Sequence, residues 1–263
     1  MTDMSVDIEV SADPATAFKI FTEEYDQWWG NGPIDAYESW RLVERRIEPG
    51  VGGRVVEDYG DEERVLGTIT VWEPGARLAW TTTNEVTIEV AFTALSNGAR
   101  VTVTGIVVDG VDGSADLSMV RMAQQWFPRY LERRETHGAL QPPGRFGVVL
   151  RSNAPAATAR WLAEVFQLEC TGDIPETEGD PDYTWIEFRV GNSVIVLWGG
   201  GGSIGADMPI VFVDDLDAHF DHAKTAGAAV ITPITEHGFR GYTAKDCEGR
   251  HWQFMQAGPR VGG

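Results

Sequence analysis

Cysteine is scarce in this sequence, which has only Cys170 and Cys247 among its 263 residues. Two thiols outside any CxxC motif cannot form the dense disulfide framework of a small secreted protein. We therefore expect a cytoplasmic protein, and we expect each cysteine to be a buried, inert thiol.

Basic residues are also few: 21 lysines and arginines stand against 40 aspartates and glutamates, giving a formal net charge of −19. Such a charge repels a phosphate backbone, so no nucleic-acid partner is expected. No apolar run approaches the ~18 residues that a membrane span requires, so no membrane partner is expected either. The acidic start MTDMSVDIEV lacks the basic and apolar segments of a signal peptide.

The motifs of several enzyme classes are missing as well. The sequence contains no GxSxG, no P-loop and no HExxH, and it offers no Ser, His and Asp set that can be placed together. No cofactor is therefore expected. Hydrophobic residues make up 43% of the chain, which is typical of a globular protein.

A stretch rich in glycine and proline, HGALQPPGRF at residues 137–146, separates two regions of regular pattern. Such a composition is typical of a linker. We therefore expect two domains, residues 1–139 and residues 145–258.

The first region predicts an antiparallel sheet covered by a long helix. Asp13 and Pro14 are suited to begin a first helix, and alternating segments separated by turns such as EPGAR and SNGAR predict several strands. The segment SADLSMVRMAQQWFPRYLERRE predicts a helix whose apolar stripe contains Leu117, Val120, Phe127 and Leu131. A sheet that curves around a helix leaves a cleft suited to apolar ligands.

Three segments of this region, VSADPATAFKIFTEEYDQWWGNGP, IEPGVGGRVVED and GTITVWEPGARLAWTT, resemble the activator-of-Hsp90-ATPase-homologue family. That family belongs to the START-like (SRPBCC) helix-grip superfamily, and the resemblance covers residues 4–136. It implies a helix-grip fold that binds small molecules or, by analogy alone, acts as a co-chaperone. Of Trp28 and Trp29, one is expected to anchor the core and the other to line the cleft mouth.

The second region contains an internal repeat. Residues 146–199 and 208–256 each begin with an apolar strand, continue into a helix and end in short strands, which predicts two βαβββ units. The segments VDDLDAHFDHAKTAGAAV and AKDCEGRHWQF are similar to the vicinal oxygen chelate superfamily of glyoxalases and bleomycin-resistance proteins. We therefore expect an α+β chain in which a helix-grip domain precedes a paired βαβββ domain.

Metal-dependent members of that superfamily place four ligands in a concave cup, on the first and last strands of each unit. The resemblance puts these positions on Gly147, Val196, Met208 and Gln253. Three of the four cannot coordinate a divalent cation, and one neutral amide cannot hold a catalytic metal alone. We therefore expect no metal, and we interpret Gln253 as a hydrogen-bonding group on the cup floor.

Strand alternation predicts which other residues face this cup. The expected inward set on the first and last strands is Val149, Val194, Val196, Trp198, Ile210, Phe212, His251, Gln253 and Met255. The neighbouring strand should direct Trp185, Glu187 and Arg189 to the cup. The expected core set is Ile186, Phe188, Val190, Trp252 and Phe254. The cup residues form either a ligand pocket, a homodimer interface or a filled core.

Two apolar cavities favour binding or sequestration of a small hydrophobic or aromatic molecule over catalysis. The expected ligand-binding residues are Val196, Trp198, Met208, Phe212, Trp185, Gln253, Met255, Trp28 and Trp29. One alternative is a metal-independent isomerase, lyase or cyclase, which requires a cup acid or base with a shifted pKa. A co-chaperone-like interaction module is the other alternative, and it rests on resemblance of fold alone.

Overall fold

A computed structural model describes residues 2–29, 38–137, 144–166, 168–170, 174–178, 185–190, 193–199, 207–245, 247 and 249–260. Its architecture is α+β. The chain divides into two compact units, Met1–Gly30 with Val43–Leu140 and Asn31–Leu42 with Gln141–Gly263.

Within the described residues, none of the helices has the length and apolar character needed to cross a bilayer.

The first unit is an antiparallel half-barrel sheet with three helices. Its elements are β1 (Thr2–Val10), α1 (Pro14–Glu23), α2 (Tyr25–Trp28), β2 (Glu44–Ile47), β3 (Arg54–Asp58), β4 (Glu63–Glu73), β5 (Arg77–Thr82), β6 (Thr87–Leu95), β7 (Gly98–Val107) and α3 (Ser114–His137). The strand order is β1-β7-β6-β5-β4-β3-β2, so β1 forms one edge of the sheet and pairs with β7. This arrangement confirms the predicted sheet and its long C-terminal helix.

The predicted helix signals of this unit are confirmed. The Asp13 carboxylate accepts hydrogen bonds from the backbone N–H groups of Ala15 (3.0 Å) and Thr16 (3.1 Å), and Pro14 occupies the first turn. On α3, the stripe residues Val120, Phe127 and Leu131 are buried in the core of the unit.

Gly105 on β7 lets α3 approach the sheet closely. A Cβ at this position would lie 2.7 Å from Leu117 Cδ2 and 3.1 Å from Val120 Cγ2. A larger residue would therefore force the Leu117 and Val120 side chains to shift.

The second unit contains two βαβββ modules. Its elements are β8 (Phe146–Arg151), α4 (Pro155–Phe166), β9 (Glu169–Cys170), β10 (Trp185–Val190), β11 (Ser193–Trp198), β12 (Met208–Val213), α5 (Leu216–Thr225), β13 (Ala229–His237), β14 (Phe239–Lys245) and β15 (His251–Gln256). They form one sheet of order β13-β14-β15-β12-β8-β11-β10-β9.

The two modules are arranged in the same way around the centre of this sheet. In each module the first strand pairs in parallel with the last, β8 with β11 and β12 with β15. The two first strands, β8 and β12, pair antiparallel at the centre. Each module therefore contributes four neighbouring strands. From the centre of the sheet to its edge, these are the first, fourth, third and second strands of the module.

The sheet of the second unit buries apolar side chains on both faces. On one face α4 packs Ala156 and Ala159 against Ile186 and Phe188, and α5 packs Leu216 against the strands of the second module. On the opposite face, a separate cluster contains Val149, Val194, Val196, Met208, Ile210, Phe212 and Met255. The predicted division of these strands into two faces is confirmed, with Val196 and Phe188 on opposite sides.

Some predictions about individual residues were wrong. Val190, predicted to lie in the core, is 48% exposed because it is the last residue of β10. Cys247 is exposed, whereas Cys170 is buried as expected.

Segment 38–42 belongs to the second unit although it precedes β2 in sequence. The backbone N–H and hydroxyl of Ser39 donate to the Gly238 carbonyl oxygen at 3.4 and 3.0 Å. A Cβ on Gly258 would lie 2.5 Å from the Ser39 carbonyl oxygen. The second unit is therefore assembled from two separate stretches of chain.

Candidate functional site

A small cavity lies within the first unit, among aromatic and aliphatic side chains. The lining residues are Phe21, Tyr25, Trp28, Trp29, Trp80, Ile88, Val103, Met119 and Ala123. The cavity volume is about 10 Å³, close to the space that one water molecule requires. Side chains of α1, α2, β5 and α3 meet here, which is the expected position of the helix-grip cleft.

Two of the lining residues carry a buried hydrogen-bonding group that has no partner among the described residues. These groups are the Tyr25 hydroxyl and the Trp80 indole Nε1, and their residues are only 2% and 3% exposed. A buried polar group without a partner costs about 1–3 kcal/mol, so such groups are uncommon. Two such groups on residues that line one cavity make this cavity a candidate site.

Both of these groups act as hydrogen-bond donors. Burial raises the pKa of the Tyr25 hydroxyl well above its usual value, and the nearby Arg45 opposes this only in part. The phenol therefore remains protonated at physiological pH. An indole N–H is a donor only. A guest that satisfies both groups must present an acceptor, such as a carbonyl or ether oxygen.

Trp28 and Trp29 line the same cavity in different ways. Trp28 is buried, and its Nε1 donates to the Phe21 carbonyl oxygen at 2.9 Å, so its polar group is satisfied. Trp29 is half-buried and packs edge-on against Trp126, with ring centroids 5.4 Å apart. This arrangement is compatible with Trp28 as the core residue and Trp29 as the residue at the cleft mouth.

A buried polar cluster fixes α2, which carries the lining residues Tyr25 and Trp28 and is followed directly by Trp29. Arg45 lies 3.2 Å from the Glu57 carboxylate, and its Nη1 donates to the Trp29 carbonyl oxygen at 2.9 Å. The backbone N–H of Arg45 donates to Asp26 at 2.8 Å, and the Tyr59 hydroxyl donates to Glu57 at 2.9 Å. This cluster ties a one-turn helix to β2 and β3.

Local sequence also explains the position of Trp80. Trp80 pairs with Ile69 of β4, and Gly67 lies two residues earlier on that strand. A Cβ on Gly67 would lie 2.7 Å from Trp80 Cδ1. The glycine therefore leaves room for the indole to lie over β4.

In the second unit, many of the predicted cup residues belong to one apolar cluster. Val196, Met208, Phe212 and Met255 are buried within one apolar cluster, and Trp198 packs at its edge. The Arg151 guanidinium lies 3.7 Å from the centroid of the Trp198 ring. Of the remaining predicted residues, Gln253 is half-buried, and Trp185 and His251 are exposed.

The four positions expected from metal-dependent relatives lie in two adjacent cross-strand rows. One row joins Gly147, Ile210 and Gln253, and the other joins Val196, Val149 and Met208. The residue types at these positions do not provide a ligand set for a divalent ion. Within the described part of the chain, no group of three His, Cys, Asp or Glu side chains is placed to hold a metal.

Glu187 is a carboxyl group on the cup face. It pairs across β10 and β11 with the buried Val196, and it accepts a hydrogen bond from the Trp185 indole at 2.7 Å. Burial raises the pKa of this carboxyl, while the Trp185 hydrogen bond and the Arg189 charge act in the opposite direction. A carboxyl in such a setting is suited to proton transfer.

Sequence reasoning did not single out Tyr25, Trp80 or Glu187 as functional residues. Alternation placed Glu187 on the cup face but gave no measure of its burial. For Tyr25 and Trp80 no sequence signal exists, because a missing hydrogen-bond partner is visible only after the chain has folded.

Comparisons with known proteins concern the N-terminal half of the chain. Residues 11–134 match the family described as Activator of Hsp90 ATPase homolog 1-like protein. No curated protein matches the chain.

Several solved structures are similar to about half of the chain. An AHSA1-like protein from Aeromonas hydrophila has 16% identity and a TM-score of 0.41, and the match covers 53% of this chain and 99% of that chain. A protein from Mesorhizobium loti has 16% identity and a TM-score of 0.37, with 53% and 100% covered. A protein from Nitrosomonas europaea has 16% identity and a TM-score of 0.37, with 51% and 97% covered.

Proposed function

We propose that this protein binds a small, planar, largely apolar molecule in the helix-grip cavity and holds it without turnover. The observation that carries the proposal is the pair of buried donors, Tyr25 Oη and Trp80 Nε1, that lack partners in a cavity walled by aromatic rings. Aromatic walls favour a planar guest, and the two donors favour one with an oxygen acceptor. The family match over residues 11–134 supports the same reading, since proteins with this fold commonly bind hydrophobic ligands.

Binding requires the cavity to enlarge, because its present volume of about 10 Å³ admits only one water molecule. Met119 and Trp29 are the half-buried members of the lining. Methionine adapts readily to a changed packing, and Trp29 lies at the end of α2. We place the entry route between these two side chains.

Titration with two matched ligands tests this proposal. The protein is titrated with a planar aromatic ketone, acetophenone, and with its hydrocarbon counterpart ethylbenzene, while tryptophan fluorescence is recorded. We expect the ketone to bind more tightly, and we expect that preference to shrink when Trp80 is replaced by Phe. Equal affinity for ketone and hydrocarbon in the native protein would show that the two donors do not bind the guest.

We also propose that residues 145–258 form a domain related to the vicinal oxygen chelate proteins but without a metal. This domain follows a helix-grip domain at residues 1–139. The strand order and the parallel pairing of first and last strands support this reading. Gly147, Val196 and Met208 at the ligand positions support a metal-free cup. Elemental analysis of the purified protein should find no stoichiometric zinc, nickel, manganese or iron.

A second candidate function is metal-independent catalysis in this cup. The observation that favours it is Glu187, a carboxyl with a raised pKa beside the apolar cluster. In this case Glu187 acts as the acid or base, and Trp198 and Trp185 hold a planar substrate. A Glu187→Gln variant that retains substrate binding but loses turnover would favour catalysis over simple binding as the function.

A further inference from the structure

A larger cavity lies in the second unit, on the face of the sheet that carries α5. Its volume is about 330 Å³, within the range of ~300–1,000 Å³ that is typical of small-molecule sites. The lining residues are Ala223, Ala228, Tyr242, Ala244, Lys245, Trp252 and Phe254. The cup residues lie on the opposite face of the same sheet, so this cavity is distinct from the cup.

The space exists because alanines stand where larger side chains would fill the layer between helix and sheet. Ala223 belongs to α5, and Ala244 lies on β14 directly opposite Trp252 of β15. Trp252 was predicted to be a core residue, but it is half-buried and lines this cavity.

The aromatic wall of this cavity is held in place by neighbouring contacts. The rings of Tyr242 and Phe254 are stacked, with centroids 5.1 Å apart and an angle of 24° between their planes. The Tyr242 hydroxyl is hydrogen-bonded to His219 Nδ1 at 2.8 Å. His219 is half-buried. The wall therefore presents fixed ring surfaces to a guest.

Lys245 is the charged residue of the lining. It is the last residue of β14 and is exposed, so its flexible four-carbon stem can bring the ammonium to the rim of the cavity. A positive group at the rim of an apolar cavity favours a guest that carries an anionic substituent. A carboxylate on a planar ring system meets both requirements.

We propose that this α5 cavity is a second binding site, which takes a small planar aromatic carboxylate. The ring system inserts beside Trp252 and Phe254, and the carboxylate remains at the rim near Lys245. The site is independent of the helix-grip cavity, so either assignment can fail without the other.

The test uses 2-naphthoate and its neutral counterpart 2-naphthamide, each titrated into the 263-residue protein by isothermal titration calorimetry. We expect naphthoate to bind with a Kd of about 1 mM or tighter. Ala223→Leu fills the cavity from the helix and should abolish binding. Ala218→Leu is the matched control on the same helix, because Ala218 is exposed and outside the lining, and it should bind naphthoate as the native protein does.

Lys245→Gln tests the charge without altering the apolar layer. Because an exposed ion pair contributes little, we expect naphthoate to bind about three- to fivefold more weakly and naphthamide to be unaffected. The proposal is overturned if naphthoate does not bind up to several millimolar, or if Ala223→Leu and the native protein bind it equally. Equal binding of naphthoate and naphthamide to the native protein would overturn the choice of a carboxylate.

Discussion

The indole N–H of Trp28 donates to the Phe21 carbonyl oxygen at 2.9 Å, whereas the indole N–H of Trp80, which lines the same cavity, has no acceptor among the described residues. Both tryptophans are almost fully buried. The two residues thus differ in what they can offer a guest. Trp28 contributes a ring surface, and Trp80 contributes a ring surface together with a hydrogen-bond donor.

Removing the unpartnered hydroxyl of Tyr25 should stabilise the ligand-free protein. Tyr25→Phe deletes a buried polar group without a partner, so we expect the free energy of unfolding to rise by about 1 kcal/mol. Urea denaturation measures this change. The matched control is Tyr59→Phe, whose hydroxyl donates to the Glu57 carboxylate at 2.9 Å, and which should lose about 1.5–3 kcal/mol. Destabilisation by Tyr25→Phe as large as that of the control would show that Tyr25 has a protein partner.

Loss of either member of the buried Arg45–Glu57 pair should lower the free energy of unfolding. Arg45→Met leaves an uncompensated charge on Glu57 and frees the end of α2, so we expect a loss of about 3–5 kcal/mol. Arg100→Met is the control, because Arg100 pairs with Glu9 at 2.8 Å on an exposed surface, where a pair contributes only ~0–1 kcal/mol. Equal losses in the two variants would mean that the Arg45 cluster does not fix α2.

Glu187 should make the stability of the second unit depend on pH. Burial raises the pKa of Glu187 in the folded protein above its unfolded value. The folded state therefore binds the proton more tightly, and stability decreases as the pH rises from the unfolded pKa to the folded pKa. Glu187→Gln removes this loss, so it should raise the melting temperature at pH 7.5 more than at pH 4. A variant whose effect is the same at both pH values would contradict the raised pKa.

Much of this architecture could be predicted from alternation and from turn and cap signals. Val196 and Phe188 lie on opposite faces of the sheet because successive strand residues point in opposite directions, which the sequence shows directly. The extent of burial could not be predicted in the same way. Val190 has the parity of a core residue but ends its strand, and Trp252 has that parity but lines a cavity.

The functional groups of the candidate sites were harder to predict for a related reason. Alternation tells which face a side chain occupies, but it does not tell whether a polar atom on that face finds a partner. Tyr25 and Trp80 lack partners only because of where α2, β5 and α3 bring their neighbours. The association of segment 38–42 with the second unit was likewise invisible, because it depends on contacts such as that of Ser39 with Gly238, which are distant in sequence.

Packing of segment 38–42 against the end of the chain can be tested at Gly258. A Cβ there would lie 2.5 Å from the Ser39 carbonyl oxygen and 3.0 Å from Trp40 Cα, both backbone atoms. Gly258→Ala should therefore cost about 1–3 kcal/mol through overpacking, measured by urea denaturation. Pro259→Ala, at the exposed neighbouring position, should change stability by no more than ~0.5 kcal/mol. Native stability of the Gly258 variant would show that the two segments do not pack together.

The central claim, a small guest bound by the two donors of the helix-grip cavity, is tested most directly by native mass spectrometry. The native protein and its Tyr25→Phe and Trp80→Phe variants are purified from the same host and measured without denaturation. We predict that the native protein carries a bound small molecule of defined mass, and that both variants retain much less of it. A native protein without any bound molecule, or the same molecule retained equally in all three proteins, would contradict the claim.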